Sequence, residues 1–215
     1  MSARDIPAGH GASTTALADF LDREQVMDIG IRSLWAPVPR IAGPAFTVRC
    51  PPGDNLMLHA AIYRADPGSV IVVESGDLDY ALAGGNVCAV AQRRGIAGFV
   101  LDGLIRDLAE VRDSGFPVFA RGVIPKPGAK AQVTDLSIPV RCGGVRVHPG
   151  DLVVADEDGV VVIPEDHQRE ILRQALAKAE QEASQSLDDW AAAHRARVDQ
   201  ILIEHGAMPA QERDR

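Results

Sequence analysis

Residues 69–120 read SVIVVESGDLDYALAGGNVCAVAQRRGIAGFVLDGLIRDLAEVRDSGFPVFA, and this stretch decides the fold. Three short apolar runs lie within it, at 69–74, 98–101 and 117–120. Runs of this length are typical of strands that are buried on both faces. The segments between them, 84–94 and 105–114, have helical patterns that end at glycine or serine. The alternation of buried strands with helices predicts an α/β arrangement with parallel strands.

The flanking segments extend this pattern on both sides. Upstream, the alternating run 45–50 predicts a strand, and Asp54 is suited to cap a helix over 55–65. Downstream, glycine, proline and aspartate turns separate further short strands. These strands are predicted at 137–141, 144–147, 151–155 and 159–163. We therefore expect a β-rich second half that belongs to the same core domain, residues 1–165.

The C-terminal segment, residues 166–215, is predicted to be a helical extension. Between Glu165 and His205 there is neither proline nor glycine, and apolar residues recur with the period of an α-helix. A continuous helix of this length would measure about 60 Å, more than the core is wide. The segment therefore either reaches a neighbouring subunit or forms two helices that break near Ser184–Ser186.

Composition excludes several classes of protein. The 215 residues are 46% hydrophobic and 24% charged, which is typical of a globular chain. The net charge of −8 argues against a nucleic-acid surface, which needs clustered Lys and Arg. No apolar run reaches the ~20 residues of a membrane span, and the first residues do not resemble a secretory signal. The cysteines form no CxxC pair, which argues against a disulfide framework and favours a cytoplasmic protein with reduced thiols.

The densest polar cluster, Arg106, Asp107 and Glu110, directly follows a predicted buried strand. Ligand sites of α/β sheets lie at the carboxyl ends of strands. On a helix, Asp107 and Glu110 share a face, and two adjacent carboxylates suit a hard cation such as Mg²⁺. Arg106 offers a planar fork for a substrate carboxylate. The alternative is a solvated first turn, where acidic residues complement the helix dipole.

A second candidate feature is the helix start at Gly84, Gly85, Asn86 and Val87. Unpaired N–H groups at the start of a helix form an anion site, where a carboxylate would face Arg106. The alternative is a tight turn that needs the flexibility of glycine. His59 lies within the predicted helix 55–65 and is interpreted as a packing or solvent-facing residue.

Residues 83–125, AGGNVCAVAQRRGIAGFVLDGLIRDLAEVRDSGFPVFARGVIP, resemble the RraA-like family. This family includes the 4-hydroxy-4-methyl-2-oxoglutarate/4-carboxy-4-hydroxy-2-oxoadipate aldolases and the regulator of ribonuclease activity A. Gly85, twenty residues, Arg106-Asp107, two residues and Glu110 are similar to the family pattern G-x20-R-D-x2-E/D. The resemblance continues through PPGDNLMLHAAI and SVIVVE upstream and VRCGGVRVHPGDLVVADEDGVVVIP downstream, and covers about residues 40–165.

The resemblance implies a β/β/α sandwich of the swivelling phosphohistidine-domain type, assembled as homotrimers or hexamers. It implies that Asp107 anchors a divalent metal, Mg²⁺ or Mn²⁺, and that Arg106 holds a pyruvate unit. Backbone amides at Asn86 and Val87 would bind the carboxylate of that unit. An acidic residue of a neighbour's C-terminal helix, Glu180 or Glu182 in this chain, would complete the site.

The function implied by the resemblance is that of a class II pyruvate aldolase that also decarboxylates oxaloacetate. Its partner would be a small 2-keto acid, with neither nucleic acid nor a membrane. The alternative is a protein-binding regulator of RNA processing that has no physiological catalysis. The well-described aldolases carry an aspartate where this chain has Gly85, so the enolate proton would come from Asp102, Glu110 or metal-bound water.

Overall fold

A computed structural model describes residues 12–207 of the chain. Within this range the strands are β1 (Arg32–Ser33), β2 (Ile41–Cys50), β3 (Val70–Ser75), β4 (Ala81–Ala83), β5 (Gly98–Ile105), β6 (Val118–Val123), β7 (Val140–Cys142), β8 (Val145–Val147), β9 (Leu152–Asp156) and β10 (Gly159–Ile163). The α-helices are α1 (Thr14–Ala18), α2 (Leu56–Ala61), α3 (Gly85–Arg93), α4 (Leu108–Ser114), α5 (Gln168–Ser184) and α6 (Leu187–Glu204).

One mixed sheet organises the fold, in the order β1-β6-β5-β3-β2-β9-β10, with β4 paired to β5. Strands β2, β3, β5 and β6 run parallel, whereas β9, β10 and β1 are antiparallel to their neighbours. The first and last strands, β1 and β10, contact each other, so the sheet is nearly closed. The prediction of parallel strands followed by a β-rich half is confirmed, and the fold is mixed α/β.

The two faces of the sheet explain the continuous apolar runs. In β3, Ile71 and Val73 pack on the side of α2, α3 and α4, whereas Val70 and Val72 pack against the β7–β8 hairpin. Because both faces are covered, residues 70–73 of β3 have no position for a solvated side chain. The helix-side core includes Phe99 and Phe116, whose rings meet edge to face at 4.8 Å.

Strand β5 is longer than its apolar run predicts. It continues through Asp102 and Gly103 to Ile105, because β4 pairs with its last residues and supplies the hydrogen bonds that hold them extended. Asp102 is therefore a strand residue, and it forms an ion pair with Arg121 and accepts the Gly143 N–H at 2.9 Å. Helix α2 is shorter than predicted, with Asn55 rather than Asp54 at its N-cap.

The C-terminal segment is a pair of helices rather than one continuous helix. The break lies between Ser184 and Leu187, where the Ser186 hydroxyl caps α6 by accepting the Asp189 N–H at 3.1 Å. A continuous helix is therefore wrong, because Ser186 satisfies the N–H groups of a new first turn. The first compact unit extends to Leu176, and a second begins at Ala177.

The start of α5 belongs to the first unit, where Ile171 and Ala175 pack with β9 and β10. Helix α6 lies in the second unit and has no buried residue, and its apolar side chains Leu187, Trp190, Val198 and Ile201 are exposed. None of the helices between residues 12 and 207 combines the length and apolar character that a membrane crossing requires.

Candidate functional site

The carboxyl ends of β4 and β5 meet the start of α3, and this junction carries the predicted residues. The Arg106 N–H donates to the Ala83 carbonyl at 2.9 Å, which fixes the end of β5 beside the residue that precedes Gly84. Helix α3 starts at Gly85, so the N–H groups of Gly85, Asn86 and Val87 have no carbonyl partner within the helix. The predicted helix start and the predicted charged cluster therefore face each other.

Asp107 has the left-handed backbone conformation, with φ 57° and ψ 40°, and is the N-cap of α4. Asp107 thus precedes the first helical residue and Glu110 is the third, and both carboxylates lie on the side that faces Gly84 and Gly85. Aspartate tolerates this conformation better than most residues. Its Oδ2 accepts the Gly85 N–H at 3.1 Å and lies 3.5 Å from Arg106 Nε.

The space beside Gly84 and Gly85 is occupied by two carboxylates. A Cβ atom at Gly84 would lie 2.4 Å from Asp107 Oδ2, and one at Gly85 would lie 2.1 Å from Glu110 Oε2. Gly84 has an extended backbone, with φ −150°, so the alternative of a turn that needs glycine flexibility does not apply to it. Two glycines thus allow two carboxylates to approach the first turn of α3.

A cavity of about 70 Å³ opens at this junction. Its polar and charged lining residues are Asn55, His59, Asn86, Arg106, Asp107 and Lys130. Of the predicted residues, Gly84, Asn86, Val87, Arg106 and Asp107 line it, whereas Gly85 and Glu110 do not. Because the Gly85 N–H is bonded to Asp107, the N–H groups of Asn86 and Val87 remain for a ligand.

Arg106 and Asp107 also line an open groove of about 290 Å³ with Leu108 and Val123. Their side chains are 44% and 38% exposed, so a ligand can approach the pair from the solvent.

Sequence reasoning missed three residues of the cavity, Asn55, His59 and Lys130. His59, interpreted from the sequence as a packing or solvent-facing residue, is half-buried in the cavity lining. Asn55 and His59 are four residues apart at the start of α2, a spacing that places them on one side of that helix. The pattern was available in the sequence, but nothing there indicated that this side of α2 faces Arg106.

Lys130 reaches the cavity on a loop that Asp54 and Asn55 hold in place. The buried Asp54 carboxylate accepts the N–H groups of Leu56, Ala131 and Gln132 at 2.9, 2.6 and 3.1 Å. Burial alone would raise the pKa of Asp54, but these three N–H groups stabilise its charged form, and the pKa is lowered. An ionised buried carboxylate thus anchors the loop through backbone bonds that no side-chain pattern reveals.

The electrostatics of the cavity favour an anionic ligand. Burial, together with the positive charges of Lys130 and Arg106, lowers the pKa of His59 below its ordinary value of 6.5, although the Leu82 carbonyl opposes this shift. His59 is therefore neutral at neutral pH, and can accept a proton there. Asp102, a predicted proton source, instead pairs with Arg121 and does not line the cavity.

The candidate ligands of a divalent ion at this junction are the carboxylates of Asp107 and Glu110. Among residues 12–207, no three His, Cys, Asp or Glu side chains are placed to hold a metal ion together. The carboxylates of Asp107 and Glu110 nevertheless lie beside adjacent residues, because Asp107 Oδ2 occupies the space of a Cβ at Gly84 and Glu110 Oε2 the space of one at Gly85. Mg²⁺ is usually bound by one or two carboxylates, with water and substrate oxygens as its other ligands. The residues present therefore fit such an ion, and do not fit a cage built by protein alone.

Comparison with known proteins identifies relatives of this chain. A family model described as RraA-like, aldolase/RraA, matches residues 14–162. A relative from Halalkalibacterium halodurans, provisionally named a 4-hydroxy-4-methyl-2-oxoglutarate aldolase, is 39% identical over 198 residues, which cover 88% of this chain and 91% of the relative. A 4-hydroxy-4-methyl-2-oxoglutarate aldolase from Thermus thermophilus is 33% identical over 155 residues, which cover 72% of this chain and 93% of the relative.

A solved structure is also similar. The RNA-processing inhibitor RraA from Thermus thermophilus matches with a TM-score of 0.65 and 32% identity, covering 72% of this chain and 93% of that chain. The similarity therefore extends both to proteins named as aldolases and to one named as an inhibitor of RNA processing.

Proposed function

Because the chain belongs to the RraA-like family and is a carbon–carbon lyase of the aldolase type, we propose that it is a divalent-metal-dependent pyruvate aldolase. Its substrates are 2-keto acids similar to 4-hydroxy-4-methyl-2-oxoglutarate, and it also decarboxylates oxaloacetate. The observation that carries this proposal is the placement of Arg106, the Asn86 and Val87 N–H groups and Asp107 around one small cavity.

Each of these groups suits one part of a 2-keto acid. The free N–H groups at the start of α3 bind the carboxylate, since they combine unpaired donors with the positive end of the helix dipole. The Arg106 guanidinium stabilises the oxygen that becomes negative when the carbon–carbon bond breaks and a pyruvate enolate forms. Asp107 and Glu110 would hold a Mg²⁺ or Mn²⁺ ion, which would supply Lewis-acid polarisation of the keto group.

His59 is the group that we assign to proton transfer. Cleavage of an aldol releases the proton of the 4-hydroxyl group, and the enolate carbon later gains a proton. A neutral imidazole in the cavity lining can accept the first proton and return it. His59 would thus supply the proton that, by the resemblance, involves an aspartate at the position of Gly85 in the well-described aldolases.

The His59→Gln variant is expected to lower kcat for aldol cleavage by about 10²-fold, since general acid–base catalysis typically contributes this much. In the wild type, His59 stays neutral at pH values somewhat below 6.5, because its pKa is lowered. Activity is therefore expected to fall only when the pH drops below that lowered pKa. The Lys130→Met variant removes a charge that lowers this pKa, so its acid limb moves to higher pH. Rate profiles from pH 4.5 to 8.5 check both expectations, and an unchanged acid limb in His59→Gln would assign that limb to another group.

Metal removal tests the proposal as a whole. The purified protein with Mg²⁺ is expected to release pyruvate from oxaloacetate and from 4-hydroxy-4-methyl-2-oxoglutarate, and excess EDTA is expected to abolish both reactions. Pyruvate is measured with a coupled dehydrogenase, and the background is the same solution without protein, because Mg²⁺ alone accelerates loss of CO₂ from oxaloacetate. Rates equal to that background, or rates that EDTA does not change, contradict the proposal.

A second candidate function is a regulator that binds a protein of RNA processing. The similarity to the Thermus RraA structure favours it, and the net charge of −8 suits a basic partner. The EDTA experiment separates the two candidates, because a regulator without catalysis gives background rates with both substrates.

The same proposal includes a homotrimer or hexamer. The exposed apolar side chains of α6 support an interface between subunits. Glu180 or Glu182, near the end of α5, would complete a neighbour's site. The sandwich arrangement of the swivelling phosphohistidine type and the cytoplasmic location stay predictions.

A further inference from the structure

Asn55 carries a buried polar atom without a partner. Among residues 12–207, only Asn55 Oδ1 and Trp35 Nε1 are buried side-chain polar atoms that make no hydrogen bond. Asn55 is 5% exposed and lines the cavity that contains Arg106 and Asp107, whereas Trp35 does not line it. Buried polar atoms in native proteins are almost always paired, so this acceptor calls for a donor that binds in the cavity.

The orientation of the Asn55 amide is fixed by its other bonds. Nδ2 donates to the Ala81 carbonyl at 3.1 Å, and the backbone N–H donates to the Ala129 carbonyl at 2.9 Å. Rotating the amide by half a turn would place Oδ1 against the Ala81 carbonyl, so that two acceptors would meet. Oδ1 is therefore the polar atom of this side chain that remains for a ligand.

Most polar groups of the cavity are donors that suit negative charge, whereas Asn55 Oδ1 is an acceptor. Arg106, Lys130 and the Asn86 and Val87 N–H groups are donors, which suit carboxylate and keto oxygens. Asn55 Oδ1 is an acceptor that bears no charge, and it needs an O–H or N–H group. A 2-keto acid that matches the whole cavity must therefore carry a donor of its own.

We propose that Asn55 Oδ1 accepts a hydrogen bond from the substrate's 4-hydroxyl group, so that the site selects 4-hydroxy-2-keto acids over 2-keto acids that lack this hydroxyl. This inference rests on the proposed aldolase function. The amide takes no proton, so Asn55 acts on specificity by binding the hydroxyl before the reaction. Because a hydroxyl group has a single hydrogen, this bond is replaced by one to His59 when the proton is transferred. Decarboxylation of oxaloacetate, which has no 4-hydroxyl, does not need this bond.

The Asn55→Ala variant separates this role from a purely structural one. We expect kcat/KM for 4-hydroxy-4-methyl-2-oxoglutarate to fall by about 10- to 100-fold, the range for a buried hydrogen bond that is lost. We expect kcat/KM for oxaloacetate to fall by a clearly smaller factor, because that substrate never made the bond. The loss of the bond to Ala81 damages both reactions equally, so an equal fall in both would overturn the inference.

The wild-type protein provides a test that does not depend on folding of a variant. 4-Hydroxy-2-oxoglutarate and 2-oxoglutarate differ only in the 4-hydroxyl group, and each is measured as a competitor of oxaloacetate decarboxylation. The inhibition constant of 2-oxoglutarate is expected to be at least ~10-fold higher than that of its hydroxy counterpart. Equal constants overturn the inference while leaving the aldolase function standing, whereas a wild type that acts on neither oxaloacetate nor the aldol overturns the function itself.

Discussion

Replacing Arg106 by alanine is expected to lower kcat for metal-dependent oxaloacetate decarboxylation by about 10²–10³-fold, the usual cost of losing one preorganised donor at a developing oxyanion. Two contacts fix the position of Arg106. Its backbone N–H is bonded to Ala83, and its Nε lies 3.5 Å from Asp107 Oδ2, so the guanidinium is held at the mouth of the cavity. A 10²–10³-fold loss of kcat corresponds to about 3–4 kcal/mol of activation free energy.

Two further variants define what Arg106 supplies. Arg106→Lys keeps the charge but not the planar fork, and a recovery of less than about tenfold over alanine would show that geometry matters as well as charge. Arg112→Ala is the matched control, because Arg112 is an exposed arginine of α4 that pairs with Asp113 and does not line the cavity. Near-wild-type turnover by a folded Arg106→Ala protein would remove Arg106 from the site.

Replacing Asp107 by asparagine is expected to weaken Mn²⁺ binding by at least about 100-fold, because loss of a residue that only supports a ligand already costs about 10–100-fold. Asparagine is suitable because its carbonyl oxygen can still accept the Gly85 N–H, and because it tolerates the left-handed backbone of this position. The variant thus removes the negative charge and leaves the N-cap intact. Electron paramagnetic resonance of free Mn²⁺ during titration measures the affinity directly, without any substrate.

The control for Asp107 is Asp113→Asn, which removes a 76% exposed carboxylate from the same helix. Its Mn²⁺ affinity is expected to equal that of the wild type. If Asp107→Asn also binds Mn²⁺ as the wild type does, the metal is held elsewhere and the two-carboxylate assignment is wrong.

The central strands could be predicted because burial on both faces leaves a strong local signal. Residues 70–73 and 118–120 are all apolar and buried, so a continuous apolar run in the sequence identifies them directly. Strand β4 left no such signal, since three residues, Ala81–Ala83, become a strand only through pairing with β5. The same pairing extended β5, so both errors have one long-range cause.

The residues of the candidate site also fall into those that the sequence could identify and those that it could not. Arg106 and Asp107 could be identified because they follow a buried strand, and because the resemblance specified their spacing. Asn55 and Lys130 could not be identified, since they approach the cavity through the backbone bonds that hold the 129–132 loop to Asp54 and Asn55. Contacts of this kind join segments about 75 residues apart, and they depend on backbone groups that every residue type carries.

The crowded approach of Glu110 to Gly85 makes positions 85 and 110 interdependent. Any side chain at position 85 starts from a Cβ atom that would lie 2.1 Å from Glu110 Oε2 and 3.0 Å from Glu110 Cβ. A larger residue at 85 is therefore compatible with this backbone only if the glutamate adopts another rotamer or is shortened. Substitutions at these two positions are consequently non-additive, and an aldolase with an acid at 85 must arrange its residue at 110 differently from this chain.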